Sequence, residues 1–135
     1  MLQAEFRSVP PNGCKGGTIM DAVGSALSAL SAFQKKSEVT ANNIANVNTD
    51  KFKKSRTILT EGTNGGVSAT VQQMDTPGIP KETIRDGQPV TVESSNVDLA
   101  EELTEMIPTG VGYKANLKTI QAQDEMLGTV LDITG

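Results

Sequence analysis

The sequence predicts a mainly α protein with a small β insertion, its N- and C-terminal helices packed as an antiparallel, coiled-coil-like hairpin around a short β-hairpin body. Three observations carry this expectation. Apolar residues recur at three- and four-residue spacing toward both ends of the 135-residue chain. Residues 55–93 between them carry period-two alternation and turn dipeptides. The chain is also poor in the side chains that fill a thick core, being 36% hydrophobic with three Phe, one Tyr and no Trp.

The same composition narrows the function classes. The chain has no His, the commonest general base and metal ligand, and a single cysteine, Cys14, so it offers no zinc cluster and no internal disulfide. No apolar stretch approaches the length of a membrane span, which argues against direct membrane insertion. A net charge of −4 and a pI near 4.8 argue against binding nucleic acid through phosphate contacts. No catalytic residue, metal, cofactor or small-molecule substrate is expected, and a structural or interaction role is favoured over an enzyme.

Residues 1–19 are expected to be a disordered tail or an upstream-start extension. Pro10, Pro11, Gly13, Gly16 and Gly17 punctuate them, and they hold no apolar core of a secretory signal. Met20 becomes the expected start if Lys15-Gly16-Gly17 translates a purine-rich ribosome-binding site. Cys14 reads as an incidental thiol, because no apolar run precedes it as a lipid-anchor cysteine requires.

Residues 20–54 read as a helix followed by an Asn-rich motif. Met20, Val23, Leu27 and Leu30 form one stripe, Ala26 and Phe33 widen it, and Ala41 and Ile44 resume it after a polar gap. Thr49-Asp50 marks its expected end, with Lys51, Lys53 and Lys54 placed to favour a helix C-terminus. Residues 55–95 form the expected β insertion. Val67, Ala69 and Val71 alternate with polar residues, as do Val90 and Val92. Turns are expected at Gly62–Gly66, at Thr76-Pro77-Gly78 and at Gly87-Gln88-Pro89, giving two or three short strands. The Gly62–Gly66 loop lacks the following lysine and helix that a phosphate cradle needs.

Residues 96–135 read as a closing helix, forming one domain with 20–54. Leu99, Leu103, Met106, Gly110, Tyr113, Leu117, Ile120, Asp124, Leu127 and Leu131 alternate by four and three without a slip. Ser95 or Asn96 is the expected cap, with Asp98 meeting free backbone N–H groups. Pro108 costs about 3 kcal/mol inside a helix, and Gly110 and Gly112 add roughly 1 kcal/mol each. A kink or short break is therefore expected at 107–112. Glu93, Asp98, Glu101, Glu102 and Glu105 admit three readings: a metal or acid–base site, a solvated helix start, or partners for Lys51, Lys53 and Lys54 across an antiparallel hairpin. A two-helix hairpin with so few large side chains leaves part of each stripe uncovered, so other subunits must cover it.

At this point particular residues resemble a known family. Thr40-Ala41-Asn42-Asn43-Ile44-Ala45-Asn46-Val47-Asn48-Thr49, followed by Lys51-Phe52-Lys53, looks like the N-terminal signature of bacterial flagellar rod and hook axial proteins. Asn96 to Leu103 and Tyr113 to Ile120 resemble that family's closing helix, and Asp124 to Ile133 is similar to the end of its proximal-rod, FlgC-like branch. Two stretches depart from the family pattern: Asp50-Lys51 stands where Pro-Gly is common, and Ile107–Gly112 replaces a helix-friendly run with Gln and Arg.

The resemblance implies a structural axial subunit of the basal-body rod, supporting motility in the periplasm. Such a subunit is exported unfolded through the flagellar type III apparatus without a cleaved signal. Its implied partners are copies of itself, other rod subunits and the export apparatus. The assembly residues expected are Leu27, Leu30, Ala41, Asn42, Asn43, Ile44, Asn46 and Asn48 in the first half, and Leu99, Leu103, Met106, Tyr113, Asn116, Leu117, Ile120, Leu127 and Leu131 in the second. The asparagine amides both donate and accept, and so suit capping, backbone bonding and subunit contacts alike. The alternative is a coiled-coil adaptor or regulator that shares the family's ends without entering the rod.

Overall fold

The computed structural model describes residues 19–62 and 65–134. The expectations for the N-terminal tail, for Cys14 and for Met1 or Met20 as the start fall at or beyond the edge of those residues. Helix α1 spans Ile19–Ala45, strands β1 to β4 span Ser55–Glu61, Val67–Gln73, Pro80–Arg85 and Gln88–Glu93, and helix α2 spans Leu99–Thr134.

The two helices run antiparallel, because contacts pair falling numbers on α1 with rising numbers on α2. Asn43 reaches Glu102, Lys36 reaches Glu105, and the Phe33 ring lies against Gly112. These contacts define a face of small and polar residues. Ala26, Ala29, Thr40 and Asn43 are buried on α1, and Glu102 and Thr109 on α2. Positions 26, 29, 33, 36, 40 and 43 keep three–four spacing, so they form one row along α1. That row lies one position away from the stripe containing Leu27 and Leu30. On α2 the regular apolar positions Leu99, Leu103, Met106, Tyr113, Leu117 and Leu127 are all exposed. The helix pair is thus closed by its small and polar residues, and its long apolar seam faces outward.

Helix α2 is continuous through 107–112, so the expected break does not occur. Pro108 and its neighbours Ile107 and Gly110 are exposed, while Thr109 is buried. The proline therefore sits on the side away from α1, where its ring displaces no helix–helix contact. Side chains add bonds to backbone carbonyls on both sides of it: Thr109 Oγ1 donates to Glu105 O at 2.7 Å and Asn116 Nδ2 to Gly112 O at 2.8 Å. Close packing of Gly112 on Phe33 holds the next turn in place. The start of α2 also differs from expectation. Its cap is Asp98, whose Oδ1 accepts from the N–H groups of Ala100 and Glu101 at 2.9 and 3.3 Å.

The β insertion contains four strands in two separate antiparallel hairpins, β1–β2 and β3–β4. The first lies along α1: Ser28 Oγ accepts from Val67 N–H at 3.0 Å, and Ala32 is buried on that side. The second turns at Asp86 and Gly87, both with positive φ (54° and 76°), one residue earlier than the Gly87-Gln88-Pro89 turn expected. Two successive left-handed residues make the tight turn whose twist matches paired strands. Gln88 and Pro89 consequently belong to β4, with Pro89 opposite Ile84. A proline is tolerated there because a two-stranded sheet leaves every strand an open edge.

Residues 74–79 join the hairpins, and Gly78 is essential to that connection. A Cβ at this position would lie 2.0 Å from the backbone oxygen of Ser94. Gly78→Ala is expected to lose about 1–3 kcal/mol in urea unfolding, since backbone must move to admit the methyl group. Gly24→Ala, in an exposed turn of α1 where an added Cβ meets nothing within 4 Å, is expected to gain up to about 1 kcal/mol. Equal urea midpoints for the two variants would contradict this packing.

Candidate functional site

The end of α1, the 46–55 connection, the 74–79 connection and the start of α2 converge on a polar junction. Asn43 is at its centre and is only 1% exposed. Its Nδ2 donates to Ser55 O at 2.7 Å and to Glu102 Oε1 at 3.1 Å, and its Oδ1 accepts from Ser55 N–H at 2.9 Å. One amide thus takes the place of a strand neighbour at the first residue of β1 while binding α2. Asn96 repeats the device a few residues away. Its Oδ1 accepts from Lys54 N–H at 2.6 Å, and its Nδ2 donates to Met74 O and Thr76 O at 2.9 and 2.8 Å.

Ion pairs surround these amides. Lys53 pairs with Glu93, Lys54 with Glu101 at 2.6 Å, Arg56 with Glu101, and Lys36 with Glu105 at 3.4 Å. Of the three readings of the acidic cluster, pairing across the hairpin is the one realised. Lys53 and Lys54 take part as expected, whereas Lys51 contributes its backbone N–H, which donates to Glu93 O at 2.9 Å. Glu102 is buried rather than solvated. Lys51 has φ 60°, a left-handed conformation that a glycine adopts more cheaply. Asp50 beside it holds the second hairpin, pairing with Lys81 at 2.7 Å and approaching Arg85 at 3.7 Å.

The remaining asparagines act locally. Asn46 Nδ2 donates to Asn42 O and Asn42 Oδ1 at 2.9 and 2.8 Å, and Asn46 Oδ1 accepts from Thr49 Oγ1 at 3.1 Å. Asn48 and Ala41 are exposed, and Ile44 is half-buried. The expected assembly residues therefore separate: Asn43 lies within the junction, Asn42 and Asn46 bond each other beside it, and a surface group lies mainly on α2. Leu99, Leu103, Met106, Tyr113, Leu117, Leu127 and Leu131 are 37–70% exposed, while Asn116 and Ile120 are half-buried. From Leu99 to Leu131 the stripe is about 48 Å long at 1.5 Å per residue. Leu27, at 54% exposed, adds an apolar position on α1, and Leu30 is half-buried. A row of exposed apolar side chains along one helix is the kind of surface that marks an interaction site.

Sequence reasoning missed Asn96 as a clamp, Glu102 as a buried partner, and the Phe33–Gly112 contact. Asn96 carried a signal in its short spacing from Asp98, but it was assigned to the cap that Asp98 supplies. Among the described residues no group of three or more Cys, Asp or Glu is arranged to hold a metal ion, and no helix is long and apolar enough to cross a membrane.

The carboxylates of the junction are held below their ordinary range. The Lys53 ammonium and then the Gly78 N–H lower Glu93, the Lys54 ammonium lowers Glu101, and the Lys81 ammonium lowers Asp50. A depressed folded-state value contributes stability that is complete above the unfolded value, about 4.3 for Glu and 3.9 for Asp. That stability is lost as pH falls through the depressed values. The urea midpoint is therefore expected to hold from pH 7 to about 5 and to fall below about 4, less steeply in Glu93→Gln. A midpoint unchanged down to pH 3 would contradict the arrangement. Asn43→Ala strands the Ser55 backbone groups and one Glu102 oxygen, and is expected to cost about 2–4 kcal/mol in the same measurement. A loss within error of zero would remove Asn43 from its central place.

Two stretches of the chain match families of known proteins. Residues 25–53 match the family described as flagella basal body rod protein, and residues 90–133 match the flagellar basal body rod FlgEFG protein C-terminal family. The chain is similar to the flagellar hook protein FlgE of Treponema pallidum, at 54% identity over 43 residues, covering 32% of this chain and 9% of that protein. Similarity to FlgE of Escherichia coli is 43% over 42 residues, covering 31% and 10% respectively. FlgE of Borreliella burgdorferi is 53% identical over 36 residues, covering 27% and 8%. The chain thus spans about a tenth of the length of these curated relatives. The two family matches fall on the two helical ends and include Asn43 and Glu102, the residues that meet in the junction.

Proposed function

This chain belongs to the family of flagellar rod and hook axial proteins, and we propose that within it the chain is a structural subunit of the basal-body rod. It assembles through its terminal helices with copies of itself and other axial subunits, and performs no chemistry. The single observation that carries this reading is the exposed α2 stripe. The chain closes its helix pair with small and polar side chains and leaves its regular apolar positions outside. Full burial of a Leu or Met side chain stabilises by about 1.5–3 kcal/mol. Covering the half-exposed five Leu and one Met of the stripe, with Tyr113, therefore supplies a fraction of that at each position and a substantial drive for association in sum. On assembly the stripe becomes a coiled-coil-like seam, with residues 20–54 and 96–135 acting as one inner-tube domain.

Export through the flagellar type III apparatus without a cleaved signal and a periplasmic position in the proximal, FlgC-like part of the rod complete the proposal. A hook position is the second reading, favoured by the similarity to FlgE proteins. A cytoplasmic adaptor is a third. Purified hook–basal bodies separate them: a tagged chain is expected to copurify with the rod after the hook is stripped away. Loss of the tag with the hook would favour the hook reading, and retention in the cytoplasm of an export-competent strain the adaptor reading. Deletion of residues 99–134 is expected to abolish swimming and basal-body assembly, and normal swimming would overturn the axial assignment.

A further inference from the structure

Next to the Asn43–Glu102 bond, both helices and the first hairpin frame a small polar space of about 10 Å³, lined by Thr40 of α1, Thr57 of β1 and Glu102 of α2. That is about the room one water molecule needs. Three side-chain oxygens at this place lack a partner among the described residues. Thr57 Oγ1 is shut off from solvent and makes no hydrogen bond. Thr40 is only 4% exposed, and its hydroxyl bonds none of the described residues. On α2, by contrast, Thr104, Thr109, Thr119 and Thr129 each donate to the carbonyl four residues back. Glu102 is 7% exposed, and Asn43 reaches only its Oε1, leaving Oε2.

Buried polar groups left in this state cost stability, and a buried water that meets two to four of them removes the cost. The chemistry of the lining selects water over an ion. The carboxylate oxygen needs a donor, and a hydroxyl can donate or accept. Water serves both kinds of group, whereas chloride cannot bond a carboxylate. A sodium or potassium ion would meet Lys36, Lys54 and Arg56, three cations that line the same space against the two carboxylates Glu102 and Glu105.

We propose that one buried water molecule, bridging Thr40 Oγ1, Thr57 Oγ1 and Glu102 Oε2, is a fixed part of the junction. It gives β1 a second tie to both helices, beside the clamp that Asn43 makes on Ser55. Thr40 and Glu102 lie within the two stretches that match known families, and Thr57 lies between those stretches. The water thereby fixes the first hairpin of the insertion on the helix pair, and it does so whether or not the chain enters the rod.

The test uses the full chain. Magnetic relaxation dispersion of the solvent counts long-lived internal waters. Thr40→Val/Thr57→Val keeps the side-chain shapes and removes both hydroxyls, and it is expected to hold one such water fewer than the parent. Thr57→Ser keeps the hydroxyl and is expected to hold the same number. Circular dichroism confirms that each variant is folded. In urea unfolding the two valine substitutions should couple through the shared water, the double variant losing less than the sum of the single losses. An equal water count in the parent and the double variant would overturn the proposal. So would a urea midpoint raised by sodium or potassium chloride over choline chloride at equal ionic strength, in the parent but not in the double variant, because the ligand would then be a cation. A crystal structure of the parent is a second readout that needs no variant. It is expected to show one water within about 3 Å of all three oxygens, and a direct Thr57–Glu102 hydrogen bond in its place would overturn the site.

Discussion

The hydrogen bonds of the Asn43 amide hold together parts of the chain that, beyond the Phe33 ring packed on Gly112, bury few apolar side chains where they meet. The buried apolar residues among those described are three alanines and one valine, Ala26, Ala29, Ala32 and Val92. That is too little to orient two helices and two hairpins. Asn43 bonds both backbone groups of Ser55 and the Glu102 carboxylate, so α1, β1 and α2 are tied at one point in three directions. Asn96 ties the two connections in the same way. Such bonds contribute little beyond their exchange with water, but breaking one leaves its buried partners unsatisfied. The junction therefore specifies geometry more than it supplies energy.

This division of labour explains the outward apolar seam. A helix pair closed by leucines would bury the surface that association needs. Here alanines, threonines and a glycine close the pair, and the long side chains remain for a neighbour. The ion pairs around the junction are partly exposed and individually weak. They bias the register of the helices while leaving assembly to the stripe.

Much of this was legible beforehand. The three–four rhythm from Met20 gave α1, the unbroken repeat from Leu99 gave α2, and the charges of Lys53, Lys54, Glu93 and Glu101 anticipated the pairing at the junction. The facing of the stripe was not legible, because periodicity identifies an apolar face without saying whether the chain itself or another covers it. Strands β1 and β3 went unread. In β1, Arg56, Thr57, Thr60 and Glu61 leave Ile58 and Leu59 as adjacent apolar residues without alternation. In β3, Pro80, Lys81 and Glu82 obscure the alternation, and with β3 the Asp86-Gly87 turn was placed one residue late. Pro108 was weighed by its intrinsic cost alone. The packing of Thr109 and Gly112 against α1 outweighs that cost, which local propensity cannot register. Asn43 was read as one of four similar amides, and only the fold distinguishes the fully buried one from exposed Asn42 and Asn48 and half-buried Asn46.

The claim beneath the account is that the α2 stripe is open in the single chain and covered in the assembled structure. Thiol labelling at one stripe position reads this directly. With Cys14→Ser, a Leu103→Cys chain should react with a water-soluble maleimide at nearly the rate of a free thiol when isolated. In intact purified basal bodies that contain it, the same site should be slowed by a hundredfold or so, the protection expected of a side chain in a close-packed interface. Equal reactivity in both states would mean that the seam is never covered, and would contradict assembly through α2.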